Sequence, residues 1–128
     1  MHAHFSRDLA VHVIGDFSTS GGPDAASELT ITHGYVLENG AVHGIKAGKG
    51  TTSRSGFYPS AIALEVTDVR DRTLQLEGTA LTTFPWQAWP GTVGFNSLLR
   101  WSHDGRTGYG ECMDFVGLGE LGAAYDRA

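Results

Sequence analysis

Alternation of apolar and polar residues with a period of two is the feature that most restricts how this sequence folds. In residues 29–37, the odd-numbered positions, His33 and Tyr35 among them, occupy one face of an extended chain, and the even-numbered positions occupy the other. Asn39 and Gly40 follow, and this dipeptide favours a hairpin turn because both residues tolerate positive φ. The pattern predicts a half-buried strand that turns back into a second strand.

Two further hairpins repeat this pattern. Residues 60–83 alternate on both sides of a polar turn, and residues 93–102 and 107–116 flank a turn that contains Asp104 and Gly105. These segments predict four more strands, each paired with its neighbour along the chain.

The remaining segments are less regular. Residues 5–17 predict a strand with a break near residue 7, and residues 118–127 predict a short C-terminal helix. Residues 18–27 and 46–57 predict loops, because they are rich in small and polar residues.

The strand count indicates the fold class. About seven strands joined mainly by hairpins are typical of an antiparallel barrel or sandwich. The 18 glycines among 128 residues argue against a helical bundle, and four of them (Gly78, Gly94, Gly108 and Gly110) fall in strand-like runs, where glycine marks bulges and bends. We therefore predict one all-β domain over residues 1–128, which forms an antiparallel β-barrel of about seven to eight strands. If a strand is missing, a second copy of the chain is expected to complete the barrel.

Charge and composition exclude several classes of protein. A net charge of −5 argues against nucleic-acid binding, and a single cysteine excludes an internal disulfide framework. His2 and His4 have the spacing of a metal-ligand pair, but terminal residues fray, so we expect no metal and no cofactor. No apolar run is long enough to span a membrane and residues 1–8 lack a signal-peptide core, so we expect a cytoplasmic protein.

The last predicted hairpin contains a candidate for proton chemistry. On strict alternation Tyr109, Glu111, Met113 and Phe115 share one face, and because three of the four are apolar or aromatic, we expect this face to point inward. A carboxylate in an apolar interior has a raised pKa, which suits a general acid or base near neutral pH. Glu111 is instead structural if it pairs with Arg100, or if a bulge at the neighbouring glycines reverses the face.

A second candidate lies on the first hairpin. His33 and Tyr35 share a face with Leu29 and Ile31. If that face points inward, His33 is a polar group in an apolar cavity and a candidate proton shuttle, with Tyr35 beside it. The alternative is a core histidine that is bonded to a neighbour.

The aromatic segment is a candidate binding element. Phe84, Trp86 and Trp89 lie in a stretch that contains Pro85 and Pro90, and this stretch cannot form a central strand because proline donates no ladder hydrogen bond. Tryptophans in such a loop line the mouth of an apolar pocket, or they plug the end of a barrel as ordinary core residues.

The order of these features resembles a known superfamily. Over residues 28–116, the strand at 62–66, the Pro–Trp segment and the run from Arg100 through Asp104 and Gly105 to Glu111 resemble the C-terminal half of the lipocalin-like superfamily of hydroxyneurosporene synthase (carotenoid hydratase), AttH-type and tocopherol-cyclase-like proteins. The resemblance implies a lipocalin-like barrel that handles hydrophobic polyenes, terpenoids or polyketides by hydration, cyclisation or cycloaddition without a redox cofactor.

The resemblance also bears on assembly and on residues. Members of that superfamily carry two barrels in tandem, so a chain with one barrel is expected to form a homodimer. Glu111 and Trp101 are the positions that match the superfamily best.

We therefore expect a cofactor-independent enzyme of the hydratase, cyclase or isomerase type that acts on a small hydrophobic substrate by proton transfer. The predicted catalytic residues are Glu111, His33 and Tyr35. The predicted substrate-binding residues are Trp86, Trp89, Phe95, Trp101, Tyr109 and Met113.

Two alternatives remain open. A carrier would bind a similar ligand without chemistry, and an interaction module would use an exposed tryptophan loop. A polar group in the pocket favours the enzyme, an entirely apolar pocket favours the carrier, and a flat exposed tryptophan patch favours the module. We predict that Trp86 and Trp89 reach one cavity with Glu111 or His33 in its wall.

Overall fold

A computed structural model of the chain describes residues 1–18 and 21–126. Within these residues the chain forms eight strands and one helix. The elements are β1 (His2–Ser6), β2 (Leu9–Phe17), β3 (Ser27–Glu38), β4 (Ala41–Ser55), β5 (Tyr58–Asp68), β6 (Thr73–Trp89), β7 (Thr92–His103), β8 (Arg106–Gly117) and α1 (Leu118–Asp126).

The strands form a closed antiparallel barrel, which confirms the predicted fold class. Each strand pairs with the next, and β1 also pairs with β8, where His4 lies opposite Tyr109. Closure depends on glycine, because a Cβ atom on Gly110 would lie 1.7 Å from the carbonyl oxygen of His2. The eighth strand arises because the break near residue 7 is a hairpin turn between β1 and β2.

The prediction of a loop over residues 46–57 was wrong. Most of this segment belongs to β4, which pairs with β3 on one side and β5 on the other. Its glycines are tolerated because neighbouring side chains fill the space that they leave. A Cβ on Gly48 would lie 2.8 Å from the side chain of Ile31, and a Cβ on Gly50 would lie 2.8 Å from the side chain of Leu64. Composition therefore indicated a loop where packing forms a strand.

The aromatic segment is also a strand, not an irregular loop. Residues 84–89 form the end of β6, and Pro85 lies opposite Phe95 of β7. Pairing between β5 and β6 ends at Thr79, so this end of β6 has a strand on one side only. Proline is tolerated in a segment with one neighbouring strand, because its nitrogen can lie on the side that has no partner.

A β-bulge reverses the face that carries the predicted histidine shuttle. Ile14 of β2 lies opposite His33, and the next residue, Gly15, lies opposite Ile31, so Thr32 has no partner in β2. One extra residue turns every later side chain to the other face. Ile31 is therefore buried, whereas His33 and Tyr35 point outward, and the inward placement of these two residues was wrong.

The inward placement of Glu111 was also wrong. Pairing between β7 and β8 continues without a bulge from Thr107 to Gly117. Four even-numbered residues of β8 are buried, namely Gly108, Cys112, Asp114 and Val116, whereas the odd-numbered residues lie on the outer surface. The apolar majority of the odd-numbered face belongs to the outside of the barrel.

The interior contains two apolar clusters with a polar layer between them. The larger cluster surrounds Trp101, and the smaller one lies beneath α1, around Phe57 and Phe95. The buried polar side chains between them are Ser27, Thr52, Arg54, Ser97 and Asp114.

Candidate functional site

The short first strand leaves a slot in the barrel. β1 has five residues, whereas β2 has nine and β8 has twelve. The pairing of β1 with β2 begins at His2, opposite His12, and Met1 adds hydrogen bonds to Val13. Within the described residues, no strand therefore lies between residues 14–17 of β2 and residues 111–115 of β8. We call this opening the β2–β8 slot.

The slot leads into a cavity of about 540 Å³. Inward-facing Leu29 and Thr52 line its interior, together with Arg54 and Asp114 of the polar layer. A cavity of this volume is within the range that binds small molecules. The arrangement is a mainly apolar cavity with a few polar groups at its inner end.

Arg54 and Asp114 form a buried ion pair in the cavity wall. Arg54 Nη1 donates to Asp114 Oδ2 at 2.5 Å, and the two side chains are only 2% and 4% exposed. Arg54 Nη1 also donates to the carbonyl oxygen of Phe57 at 3.1 Å, and Nε donates to Ser27 Oγ at 2.8 Å. The ring of Phe17 lies 4.6 Å from the guanidinium carbon. Arg54 is thus fixed from several directions.

The second oxygen of Asp114 is unsatisfied. Asp114 Oδ1 is buried and has no hydrogen-bond partner within the described residues. Burial raises the pKa of Asp114 above its ordinary value, and the Arg54 guanidinium opposes part of that rise. A buried carboxylate oxygen without a partner is costly, so this atom is a candidate contact for a ligand.

Cys112 also lines the cavity, and its thiol has a raised pKa. Burial, with a further contribution from Asp114, raises the pKa of its thiol to about 12. The protonated thiol is a poor nucleophile, so Cys112 contributes as a small apolar residue.

The rim of the slot combines apolar and acidic side chains. Ile14 and Met113 are exposed there, and the carboxylates of Asp16, Glu111 and Glu120 lie around the opening. The two rim histidines, His2 and His12, have pKa values lowered mainly by burial, so both are neutral at about pH 7. No cluster of three or more potential metal ligands occurs in the described part of the chain.

The structure brings only part of the predicted site together. Glu111 and Met113 lie at the rim, whereas Tyr109 is exposed on the outer surface and does not line the cavity. The His33 ring is 3.0 Å from Thr32 Oγ1, and Tyr35 stacks on the rim residue His12 with ring centroids 5.5 Å apart. Glu111 and Arg100 form no ion pair in the part of the chain that the structure describes.

The predicted aromatic lining lies elsewhere. Trp86 and Trp89 are on the outer surface, where both contact Phe115, whose ring belongs to the rim of the cavity. They reach the cavity only through this residue. Phe95 and Trp101 point inward, but each belongs to an apolar cluster and neither lines the cavity.

Sequence reasoning missed Arg54 and Asp114. Arg54 fell in the segment predicted as a loop, and Asp114 lay on the face of β8 that was expected to point outward. The available signal was alternation in β4, where Thr52 and Arg54 share one face and Ser53 and Ser55 share the other. That signal shows a common face but does not show which face is buried.

Comparison with known protein families identifies one that matches most of the chain. Residues 1–115 match a family described as a domain of unknown function, DUF7064. The chain belongs to this family. The DUF7064 match contains β1–β7, Arg54 and Asp114, and it ends before α1. No curated protein and no solved structure matches the chain.

Within the described residues, no helix is long and apolar enough to cross a membrane.

Proposed function

We propose that the chain binds a small, mainly apolar molecule in the cavity behind the β2–β8 slot, and that Asp114 exchanges a proton with it. The observation that carries this proposal is the unsatisfied Oδ1 of Asp114, buried in the cavity wall. The apolar lining excludes water from the bound molecule, and Asp114 supplies the polar group that distinguishes an enzyme from a simple carrier.

The proposed chemistry follows from the ion pair. Arg54 holds the Asp114 carboxylate in one orientation through Oδ2, which leaves Oδ1 for a ligand. A carboxylate with a raised pKa accepts a proton from a bound group more readily than one in water, and returns it in a later step. This is the proton transfer of a hydratase, cyclase or isomerase, with Asp114 in place of Glu111.

The superfamily resemblance supports this proposal only at the level of the fold. A closed antiparallel eight-strand barrel agrees with the lipocalin-like barrel that the resemblance implies. Membership of the carotenoid hydratase superfamily stays a prediction, because the matched family has no assigned function. The cytoplasmic location also stays a prediction.

Binding is tested with the neutral, polarity-sensitive dye Nile red. Ile14→Glu places a further carboxylate at the rim, and Leu81→Glu is the matched control, since the two residues are 46% and 44% exposed and Leu81 does not line the cavity. We expect Ile14→Glu to weaken dye binding about five-fold, because about 1 kcal/mol of apolar contact is lost. Equal binding by both variants would show that the dye, and the proposed ligand, do not use the slot.

Chemistry is tested after the natural ligand is identified. Native mass spectrometry of gently purified protein reports a co-purifying apolar molecule, whose conversion is then followed by chromatography. We expect Asp114→Asn to abolish conversion and Glu111→Gln to leave most of it. Unchanged conversion by Asp114→Asn, with binding intact, would establish the carrier instead.

A second candidate function is protein interaction through the outside of the barrel. Phe84 and Trp89 are 68% and 53% exposed, and together with Trp86, Met113 and Phe115 they form what we call the aromatic face. An exposed apolar surface of this kind is typical of an interaction site, and a second copy of the chain, the expected homodimer, is the partner we propose.

Light scattering after size exclusion tests this second candidate. The double variant Phe84→Ser/Trp89→Ser removes apolar side chains from the aromatic face, and Val42→Ser/Val69→Ser removes two similarly exposed apolar side chains away from it. We expect the first pair alone to shift the mass from dimer to monomer. A wild-type chain that is monomeric at high concentration contradicts the dimer.

A further inference from the structure

We propose that the polar end of the ligand is an uncharged hydroxyl group that donates a hydrogen bond to Oδ1 of Asp114. The inference rests on the proposed function, since it assigns the chemical class of the molecule that the cavity binds. It begins from the unsatisfied buried oxygen and from the charges that surround it.

An anionic end is disfavoured by the charges of the site. Among the described residues the polar layer has one cation, Arg54, and its charge is already neutralised by Asp114 at 2.5 Å. The ammonium of Met1, which also lines the cavity, donates to the carbonyl oxygen of Val13. A carboxylate would lie beside Asp114, and it would pass the rim carboxylates of Asp16, Glu111 and Glu120. Like charges in a poorly solvated site repel strongly.

A cationic end is disfavoured by Arg54. An ammonium at Oδ1 of Asp114 would place two cations on one carboxylate, within a wall where both ion-pair side chains are almost completely buried. The Arg54 guanidinium cannot lose its charge to relieve this, because arginine stays protonated in proteins. A buried charge without its own partner carries a large desolvation cost.

A neutral group that only accepts hydrogen bonds leaves the vacant oxygen unsatisfied. As the carboxylate of the ion pair with Arg54, Asp114 has no proton to donate, so an ether oxygen at Oδ1 finds no partner. A hydroxyl donates to Oδ1. A hydroxyl oxygen also accepts a hydrogen bond, and Arg54 Nη2 makes none within the described residues, so the guanidinium keeps a donor for the polar end of a ligand. A hydroxyl is therefore the group that fits both charges.

Matched eight-carbon probes test the proposal on the wild-type chain. Octanol and its isomer methyl heptyl ether have the same atoms but differ in the hydroxyl, and octanoate and octylammonium add a charge of either sign. Affinities are measured at about pH 7 from the shifts of backbone amide signals of β2 and β8. We expect octanol to bind at least about ten-fold more tightly than the ether, as for a hydrogen bond to a charged group.

The outcomes separate this inference from the proposed function. Binding of all four probes without preference for octanol, or tighter binding of octanoate or octylammonium, overturns the hydroxyl assignment and leaves an apolar cavity. Failure of all four probes and of Nile red overturns the proposed function and the assignment with it. The preference for octanol over its isomer should narrow in Asp114→Asn, and if that variant does not fold, the wild-type series decides the question by itself.

Discussion

The buried ion pair gives the sharpest test of how the barrel interior is built. Replacing Asp114 with Asn keeps the shape of the side chain but removes its charge. Arg54 then keeps its hydrogen bonds to Ser27 and Phe57, but its charge has no compensation in a side chain that is 2% exposed. Breaking a buried pair from one side costs about 3–5 kcal/mol, so we expect a loss of this size in the free energy of unfolding.

The two halves of the pair should respond differently to pH. Arg54 cannot lose its proton, so the free energy of unfolding of Asp114→Asn should gain nothing from protonation at this pair as the pH falls from about 8 to 5. In Arg54→Met the remaining carboxylate can protonate, and its folded-state pKa, already raised by burial, lies further above the unfolded value. The folded state then binds the proton more tightly, so Arg54→Met should recover stability as the pH falls toward that pKa.

Urea unfolding followed by tryptophan fluorescence measures these differences. The double variant Arg54→Met/Asp114→Val removes both charges, and we expect it to recover most of the loss of Asp114→Asn, because buried pairs are replaced by apolar residues at little cost. A loss below about 1 kcal/mol for Asp114→Asn would refute the reasoning, since it would show that water reaches the pair and screens it.

Three further predictions follow from other residues. Arg70 holds the pKa of Asp68 below its usual value. The stability that this carboxylate contributes is therefore present above the unfolded pKa of about 4 and is lost as the pH falls through the folded pKa. Asp68→Asn should make the free energy of unfolding depend less on pH in the acid range. Gly110→Ala should lower the free energy of unfolding by about 3 kcal/mol in the urea assay, because its Cβ would meet the backbone of β1. The control is Gly119→Ala in α1, where nothing lies within 4 Å of the added Cβ, and it should be neutral or stabilising. Cys112, with a pKa of about 12, should react with iodoacetamide at about pH 8 only after unfolding. Labelling is measured by mass spectrometry, and rapid labelling of the folded chain would contradict the raised pKa of this thiol.

The fold could be predicted because hairpin signals are local. Asn39 and Gly105 lie in turns with positive φ, as their dipeptides indicate, and the alternation between these turns predicts antiparallel strands. The number of strands was less certain, because the turn between β1 and β2 has no glycine to mark it and appeared as a break within one strand.

The candidate site could not be predicted to the same degree, because alternation shows which residues share a face but not which face is inside. A single bulge at Thr32 reverses His33 and Tyr35, and the alternation of residues 29–37 does not show it, although Gly15 of the partner strand lies at the register shift. In β8 the outer face is as apolar as the inner one, so hydrophobicity pointed to Glu111 instead of Asp114.

The partners of the pair are also distant in sequence. Arg54 and Asp114 are 60 residues apart, and each alone is typical of an exposed position. Only the order of strands around the barrel, together with the inward faces of β4 and β8, shows that two opposite charges meet inside. The alternation within a single strand therefore does not reveal such a pair.

Stability alone does not explain the polar layer. Two apolar clusters flank it, and apolar residues at Arg54 and Asp114 would join them into one core, which is often neutral or more stable than a buried pair. The layer borders the cavity, and one of its oxygens is unsatisfied. If Arg54→Met/Asp114→Val is as stable as the wild-type chain but has lost the preference for octanol over its isomer, then the pair serves the ligand and not the fold. If the double variant is severely destabilised, the pair is structural, and the argument from its unsatisfied oxygen loses its basis.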